Sequence, residues 1–365
     1  MYLSHILNSK KIALSLILGV FLTFFTCKSF AIQHEEHAAT GAESHNQEEF
    51  SPSEVILEHI ADSHSWHLWG TTTFPLPVIL YTDKGFEIFS SAHFEHGHAD
   101  YTGKYYTYRL VKDKISIVGP GEELIAGANM LNIHKKLIDF SITKNVVSMW
   151  ISFLLLIIIF FSVSAAYKKR VGKAPKGLQS FMEPIILFVR DDIARPNIGY
   201  KYQRFMPLLL TVFFFIWINN LIGLVPFFPG GSNLTGNIAV TFVLSVITLI
   251  IVNVNGNKYY WKHIFAPDVP VWLYPIMWPV ELVGIISKPF ALMIRLFANI
   301  TAGHIIVLSL ISLIFVFKSM AIAPVSVAFV VFMDVLELLV AALQAFIFTL
   351  LTALFIGTAI EEHHH

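Results

Sequence analysis

From Val146 onward the chain alternates long apolar runs with short basic or polar breaks, a rhythm of crossing and return rather than of a soluble core. Val146 to Tyr167 holds 22 residues without a charge. At about 1.5 Å per residue that is enough to cross a hydrocarbon layer about 30 Å thick. Lys168, Lys169, Arg170, Lys173 and Lys176 follow at once. An excess of positive charge marks the cytoplasmic end of a span, so the residues before Val146 are expected in the periplasm. Gly177 to Asp192, apolar at Leu178, Phe181, Met182, Ile185, Ile186 and Val189, predicts an amphipathic helix on the cytoplasmic surface. Between Phe205 and Asn257 no Asp, Glu, Lys or Arg occurs, and Pro226-Phe-Phe-Pro229-Gly-Gly-Ser-Asn233 divides the stretch into a hairpin of two crossings. Two longer patterns, Val280 to Val316 and Ile322 to Ile360, run 37 and 39 residues. As helices they reach roughly 55 to 58 Å, so both must be strongly tilted or bent, with Lys318 to Pro324 as the tight link.

The first 145 residues read differently. Lys10 and Lys11 lead into the apolar run Ile12 to Phe25 and a small-x-small site at Ser29-Phe30-Ala31, which predicts a signal peptide over 1–31. The alternative is an uncleaved first membrane helix. Residues 32–53 are polar, acidic and histidine-bearing without periodicity, a composition of disorder. Residues 54–145 carry short aromatic and β-branched runs at His67 to Phe74, Val78 to Tyr81, Phe86 to Phe94 and Tyr105 to Val111. Turn signals such as Thr82-Asp83-Lys84-Gly85 separate them. The pattern as a whole predicts an all-α polytopic membrane protein over 146–365, with five crossings, plus a small mostly-β periplasmic domain.

Composition agrees: 365 residues, 55% hydrophobic and only 14% charged, with a mean hydropathy of +0.64, are too apolar for a soluble globule. Cys27 is the sole cysteine, so neither a disulfide framework nor a cysteine metal site exists. Nine histidines fall between His34 and His98, including His93-Phe-Glu-His96-Gly-His98. Imidazoles alternating on a strand can bind zinc or copper, but no cysteine or tight His/Asp frame closes a four-ligand set. A solvated histidine-rich surface is the reading, and no resident metal, organic cofactor or nucleic-acid partner is expected.

The chemistry concentrates in Glu281-Leu-Val-Gly-Ile-Ile-Ser-Lys288-Pro-Phe-Ala-Leu-Met-Ile-Arg295-Leu-Phe-Ala-Asn299-Ile-Thr-Ala-Gly303-His304. An arginine in hydrocarbon costs roughly 2.5 to 3.5 kcal/mol even on lenient scales, so it persists only where a cavity or partner receives it. Glu281, Lys288 and Arg295 are seven apart and share one stripe of a helix, with Asn299 on its edge and His304 roughly opposite. Pro289 predicts a bend near Lys288. On the last helix Glu337 and Gln344 share a face, with Asp334 nearby. Asn219, Asn220, Asn237 and Asn253 of the uncharged hairpin are amides able to line a wet cavity.

Ser287-Lys-Pro289, Arg295-Leu-Phe-x-Asn299-x-x-Ala-Gly303, Leu343-Gln344-Ala345-Phe346-Ile347-Phe348 and Asn220-Leu-Ile-Gly-Leu-Val-Pro226 together resemble subunit a of the F-type ATP synthase, over about residues 146 to 362. The resemblance implies a proton-translocating stator subunit in the cell inner membrane, with two aqueous half-channels, whose partners are the c-ring, the peripheral-stalk subunit b, the other synthase subunits and the lipid bilayer. It makes Arg295 the arginine that faces the ring carboxylates, Gln344 a glutamine packed close to it, and Asn299 a polar position on the proton path. Where many members have a glutamate nine residues after the arginine and a histidine on the last helix, this chain has His304 and Glu337, the same two groups exchanged. They are expected to meet on the periplasmic half-channel. Asn219, Asn220, Glu281, Lys288 and Asp334 are candidates for lining the channels. No Gly-x-x-x-x-Gly-Lys-Ser/Thr phosphate loop occurs, so the chain itself is not an ATP-hydrolysing enzyme. A self-contained transporter would instead show internal repeat symmetry, and none is evident.

Overall fold

A computed structural model describes residues 62–69, 72–97, 99–111, 113–119, 124–127, 137–225, 230–232, 234–265, 270–317 and 321–361. The expected signal peptide and histidine-rich acidic segment lie outside the described residues. Among the described residues the N-terminal region forms nine short strands in three antiparallel sheets. The first pairs β1 (Ser65–Trp69) with β2 (Thr72–Pro75), so the run expected as one strand is a hairpin. The second has the order β4-β3-β9, from β3 (Pro77–Thr82), β4 (Gly85–Ser90) and β9 (Ile138–Asp139). The third is β5 (Tyr101–Thr102), β6 (Thr107–Val111), β7 (Lys114–Val118) and β8 (Leu124–Gly127) in sequence order. Thr82-Asp83-Lys84-Gly85 makes the predicted two-residue hairpin turn, with Thr82 paired to Gly85 and Gly85 at φ +134°. The run expected over Phe86 to Phe94 leaves the strand at Ser90: Ser91–Gly97 is a 3-10 helix, so the strand alternation weighed as the metal-binding alternative does not form at His93 and His96.

Val78, Leu80, Phe89, Phe94, Tyr108, Ile115, Ile117 and Leu137 form the core of this region. In β4 one inward position beside Phe89 is taken by a carboxylate. Glu87 points into that core while Phe86 and Ile88 are exposed. A buried carboxylate needs donors, and Glu87 has three: the amides of Lys104 (3.1 Å) and Tyr105 (2.7 Å) and the hydroxyl of Tyr108 (3.1 Å). Burial, and then the charge of Glu87, push the Tyr108 hydroxyl well above its ordinary range.

The membrane region begins with α1 (Lys144–Lys169), whose last-turn lysines suit the negative end of the helix dipole. Asn145, Ser148, Met149, Ser152, Leu156, Phe160 and Val163 form its buried stripe at helical spacing, and Trp150, Leu154, Leu155, Ile158 and Phe161 face outward. The predicted surface helix is not separate. α2 (Leu178–Phe188) runs through a π turn (Val189–Ala194), α3 (Arg195–Ile198) and a 3-10 turn (Gly199–Lys201) into α4 (Tyr202–Leu224). Met182, Ile186 and Val189 are buried but Phe181 is exposed, so only part of the expected apolar face is used.

α5 (Ile238–Val254) and α6 (Lys258–Phe265) meet at 104°. The long pair is α7 (Tyr274–Phe317, 44 residues) and α8 (Ala323–Ile360, 38 residues). α8 lies along α4, α7 and α3, while α7 lies along α5. Glycine permits one of these approaches: a Cβ on Gly357 would stand 1.8 Å from the Asn197 carbonyl of α3. Among the described residues four helices are long and apolar enough to cross a membrane, or five if α5 and α6 count as one broken span.

Candidate polar path in the membrane region

α7 shows two faces. Pro289, Leu292, Met293, Leu296 and Ile300 are buried at spacings of three and four, and His304 continues that row one turn beyond Ile300. Ala291, Arg295, Ala298, Asn299 and Ala302 lie on the exposed side. Among the described residues no carboxylate pairs with Arg295, and no hydrogen bond joins it to Gln344, which is buried on α8.

Nine residues after Arg295 the chemistry turns inward. His304 Nδ1 stands 2.5 Å from Glu337 Oε1 of α8, the two side chains being 17% and 6% exposed. Glu337, Ala341, Gln344, Ala345 and Phe348 are the buried row that α8 presents. Gly303 makes the approach possible: a Cβ there would lie 3.0 Å from both the Cδ and Oε1 of Glu337. One imidazole and one carboxylate in hydrogen-bond contact form a pair of the kind that can pass a proton from one to the other. Asp334, one turn before Glu337, is exposed.

The α4–α5 turn supplies further polar links. Asn220 of α4 donates to the Ala341 carbonyl (3.2 Å), and its Oδ1 accepts from Thr235 (2.5 Å). Thr301, three residues before His304, donates to the Gly236 carbonyl (3.4 Å). Asn219 donates to Phe215 O of its own helix (2.7 Å), and among the described residues nothing donates to its buried Oδ1. Two of the four amides able to line a cavity make local structural bonds. Asn237 caps α5 through Ala239 N (2.9 Å), and Asn253 accepts from Tyr260 (2.9 Å). Thr235 and Thr301 escaped sequence reasoning because a lone threonine in an apolar run usually bonds its own helix, as Thr248, Thr349 and Thr352 do here.

Toward the start of α7, Glu281 lies 3.7 Å from His263 of α6, a partner the sequence did not suggest. Lys288 is exposed, with its ammonium 5.5 Å from the Phe355 ring centroid. It borders a small cavity lined also by Thr248, Val252, Tyr260 and Leu292. The three charges of the predicted stripe therefore meet different neighbours. No group of three His, Cys, Asp or Glu side chains placed to hold a metal occurs among the described residues.

The ATP synthase A chain family matches residues 146–357, and a family described as a domain of unknown function (DUF8433) matches residues 55–140. ATP synthase subunit a of Chloroherpeton thalassium is 50% identical over 232 residues, 62% of this chain and 69% of that one. ATP synthase subunit a 2 of Chlorobaculum tepidum is 48% identical over 229 residues, 60% of this chain and 64% of its own. ATP synthase subunit a of Myxococcus xanthus is 44% identical over 235 residues, 62% of this chain and 76% of its own. The alignments thus span about two thirds of these relatives or somewhat more. With a match over more than half its length, the chain belongs to the ATP synthase A chain family, multi-pass, non-catalytic membrane-sector subunits that serve proton transport alongside the other subunits of the synthase.

Proposed function

We propose that this chain is the stator half of a proton path, with two aqueous half-channels that meet at Arg295 and a ring of c subunits turning against the exposed face of α7. The observation that carries the reading is the division of α7: a guanidinium without a carboxylate partner among the described residues on its outer face, and the paired His304 and Glu337 on its inner face. A guanidinium keeps its proton at any working pH, so it attracts an ionised carboxylate without relaying protons itself. Arg295 holds the arriving ring carboxylate ionised and separates the half-channels electrically. His304 and Glu337, with Asn220, Asn219 and Asp334 beside them, take protons from the periplasm and pass them to the ring. Asn299 borders the meeting point and Gln344 braces it from α8. After rotation the carboxylate gives its proton to an outlet bordered by Glu281 and Lys288. Each proton crossing the full potential releases about 2.3 kcal/mol per 100 mV, which drives the rotation.

The basic segment after α1 and the signal-peptide pattern of the first 31 residues are the support for a periplasmic domain over 54–145, a cytoplasmic C-terminus and five crossings in the inner membrane. At about 66 and 57 Å, α7 and α8 exceed the bilayer and lie tilted along the ring. Peripheral-stalk subunit b anchors the chain against the torque. A cysteine placed at Ala298, beside Arg295, is expected to cross-link to a cysteine on the outer helix of the c subunit in the assembled synthase. Cross-links from Leu154→Cys on the outward face of α1, with none from Ala298→Cys, would refute the placement.

A further inference from the structure

The β region touches the bundle at the turn that joins α4 to α5. Trp66 of β1, buried, donates from Nε1 to the Gly230 carbonyl (3.2 Å). Ser232, fully buried, donates to Asn145 Oδ1 (2.6 Å) at the start of α1, and the Asn145 amide donates to Asp62 Oδ1 (3.1 Å). Lys144 N bonds the Ser63 carbonyl (3.0 Å), so the segment ahead of β1 and the first turn of α1 form one piece. The turn has no slack on its other side: a Cβ on Gly230 would stand 2.1 Å from the Val225 carbonyl at the end of α4. Within six residues of Gly230 the same turn carries Thr235, bonded to Asn220, and Gly236, bonded to Thr301 on the His304 side of α7.

We propose that the β domain is a clamp on the α4–α5 turn that sets the geometry of the periplasmic half-channel, with Trp66 and Asn145 as positioning residues. This rests on the reading of His304 and Glu337 as the proton-accepting pair. The domain contacts the turn at Gly230 and Ser232, and the turn contacts the path at Asn220 and Thr301. A shift of the domain is therefore delivered to both helices that hold the pair, without any domain residue touching a proton in transit. Asp62, His64, Asp139 and Lys144 are the titratable groups around the clamp.

The test uses the whole synthase in vesicles, with the rate of proton-driven ATP synthesis measured against periplasmic-side pH at fixed cytoplasmic-side pH, and then the reverse. Trp66→Phe keeps an aromatic side chain, though a smaller one, and deletes the N–H; Ser232→Ala deletes the second bond; Ser232→Thr restores a hydroxyl. Each deletion is expected to raise the periplasmic proton concentration for half-maximal rate roughly five-fold, the equilibrium weight of one hydrogen bond. The cytoplasmic-side profile should stay unchanged and Ser232→Thr should recover the wild-type profile. Should Trp66→Phe fail to assemble with its ring, the serine pair decides alone. An unmoved periplasmic profile in the assembled deletions, or equal shifts on both sides, overturns the clamp. Glu337→Gln run in parallel separates the two readings: if it leaves the periplasmic profile unchanged, the proton-accepting pair itself is wrong; if it alters the profile while the clamp deletions do not, only the clamp falls.

Discussion

Glu87 in the β region and Glu337 in the membrane bundle are equally hidden, each 6% exposed, yet their surroundings differ in kind. Glu87 is filled by two backbone amides and a phenol from its own sheet neighbourhood, donors that hold a charge in place. Among the described residues Glu337 has one hydrogen-bond partner, the imidazole of His304, which can give or take a proton. A buried carboxylate saturated by fixed donors is architecture. One matched with a single titratable group on a facing helix, beside a glycine that leaves it room, is what the proposed proton exchange requires.

Substitution tests that contrast most sharply. Glu337→Gln should cut coupled proton pumping by about 10²-fold, the usual weight of a proton-transfer group, while the complex still assembles. Glu87→Gln should leave pumping near wild type but weaken the β region by ~2 kcal/mol, seen as faster proteolysis of the domain, because a charged acceptor is replaced by a group with donors of its own. Wild-type pumping from Glu337→Gln would erase the distinction. A smaller effect is expected from Gly303→Ala, whose added methyl overlaps Glu337: roughly 1 to 3 kcal/mol of overpacking and about a ten-fold slower pump. Gly284 of the same helix has nothing within 4 Å of its absent Cβ, so Gly284→Ala should pump normally.

The smallest effect is in pH. Burial pushes the Asp139 carboxyl up, but the bonds and charge of His64 and the bonds of Ser141 outweigh it and hold it below the usual range. Its folded pKa is depressed. Its contribution is therefore present above about pH 3.9 and is lost as pH falls through the lower folded value. Asp62 runs the other way. Burial outweighs its bonds and charges from Asn145, Thr143, Lys144 and His64, so its pKa is raised and its share of stability fades as pH climbs through that value. Protease resistance of the β region against pH should lose its fall toward low pH in Asp139→Asn and its fall with rising pH in Asp62→Asn. Identical profiles in both variants would contradict these assignments.

Much of this was legible in the pattern of residues. The apolar runs marked α1, α7 and α8 within a few residues because a membrane segment satisfies its backbone internally and leaves its length in the sequence. The offset of nine residues placed Arg295 and His304 on opposite faces, and the structure has one exposed and the other turned onto Glu337. What escaped depends on long-range contact. The Asp62–Asn145–Ser232 chain joins residues more than eighty positions apart, and Trp66 meets Gly230 across still more. Nor does composition tell a 3-10 turn from a strand at Ser91–Gly97, or show that α2 runs on into α4, since an apolar face fits both a surface helix and a continuing one.

The most direct test of the central claim is proton pumping in inverted vesicles that carry the complete synthase with Arg295→Ala beside wild type, read by quenching of a pH-sensitive dye. The account predicts that ATP-driven pumping and ATP synthesis both vanish while the ring remains assembled with this chain. Coupled pumping that survives the substitution would contradict it, since Arg295 would then be a tolerated charge on the outer face of α7 and not the gate between two half-channels.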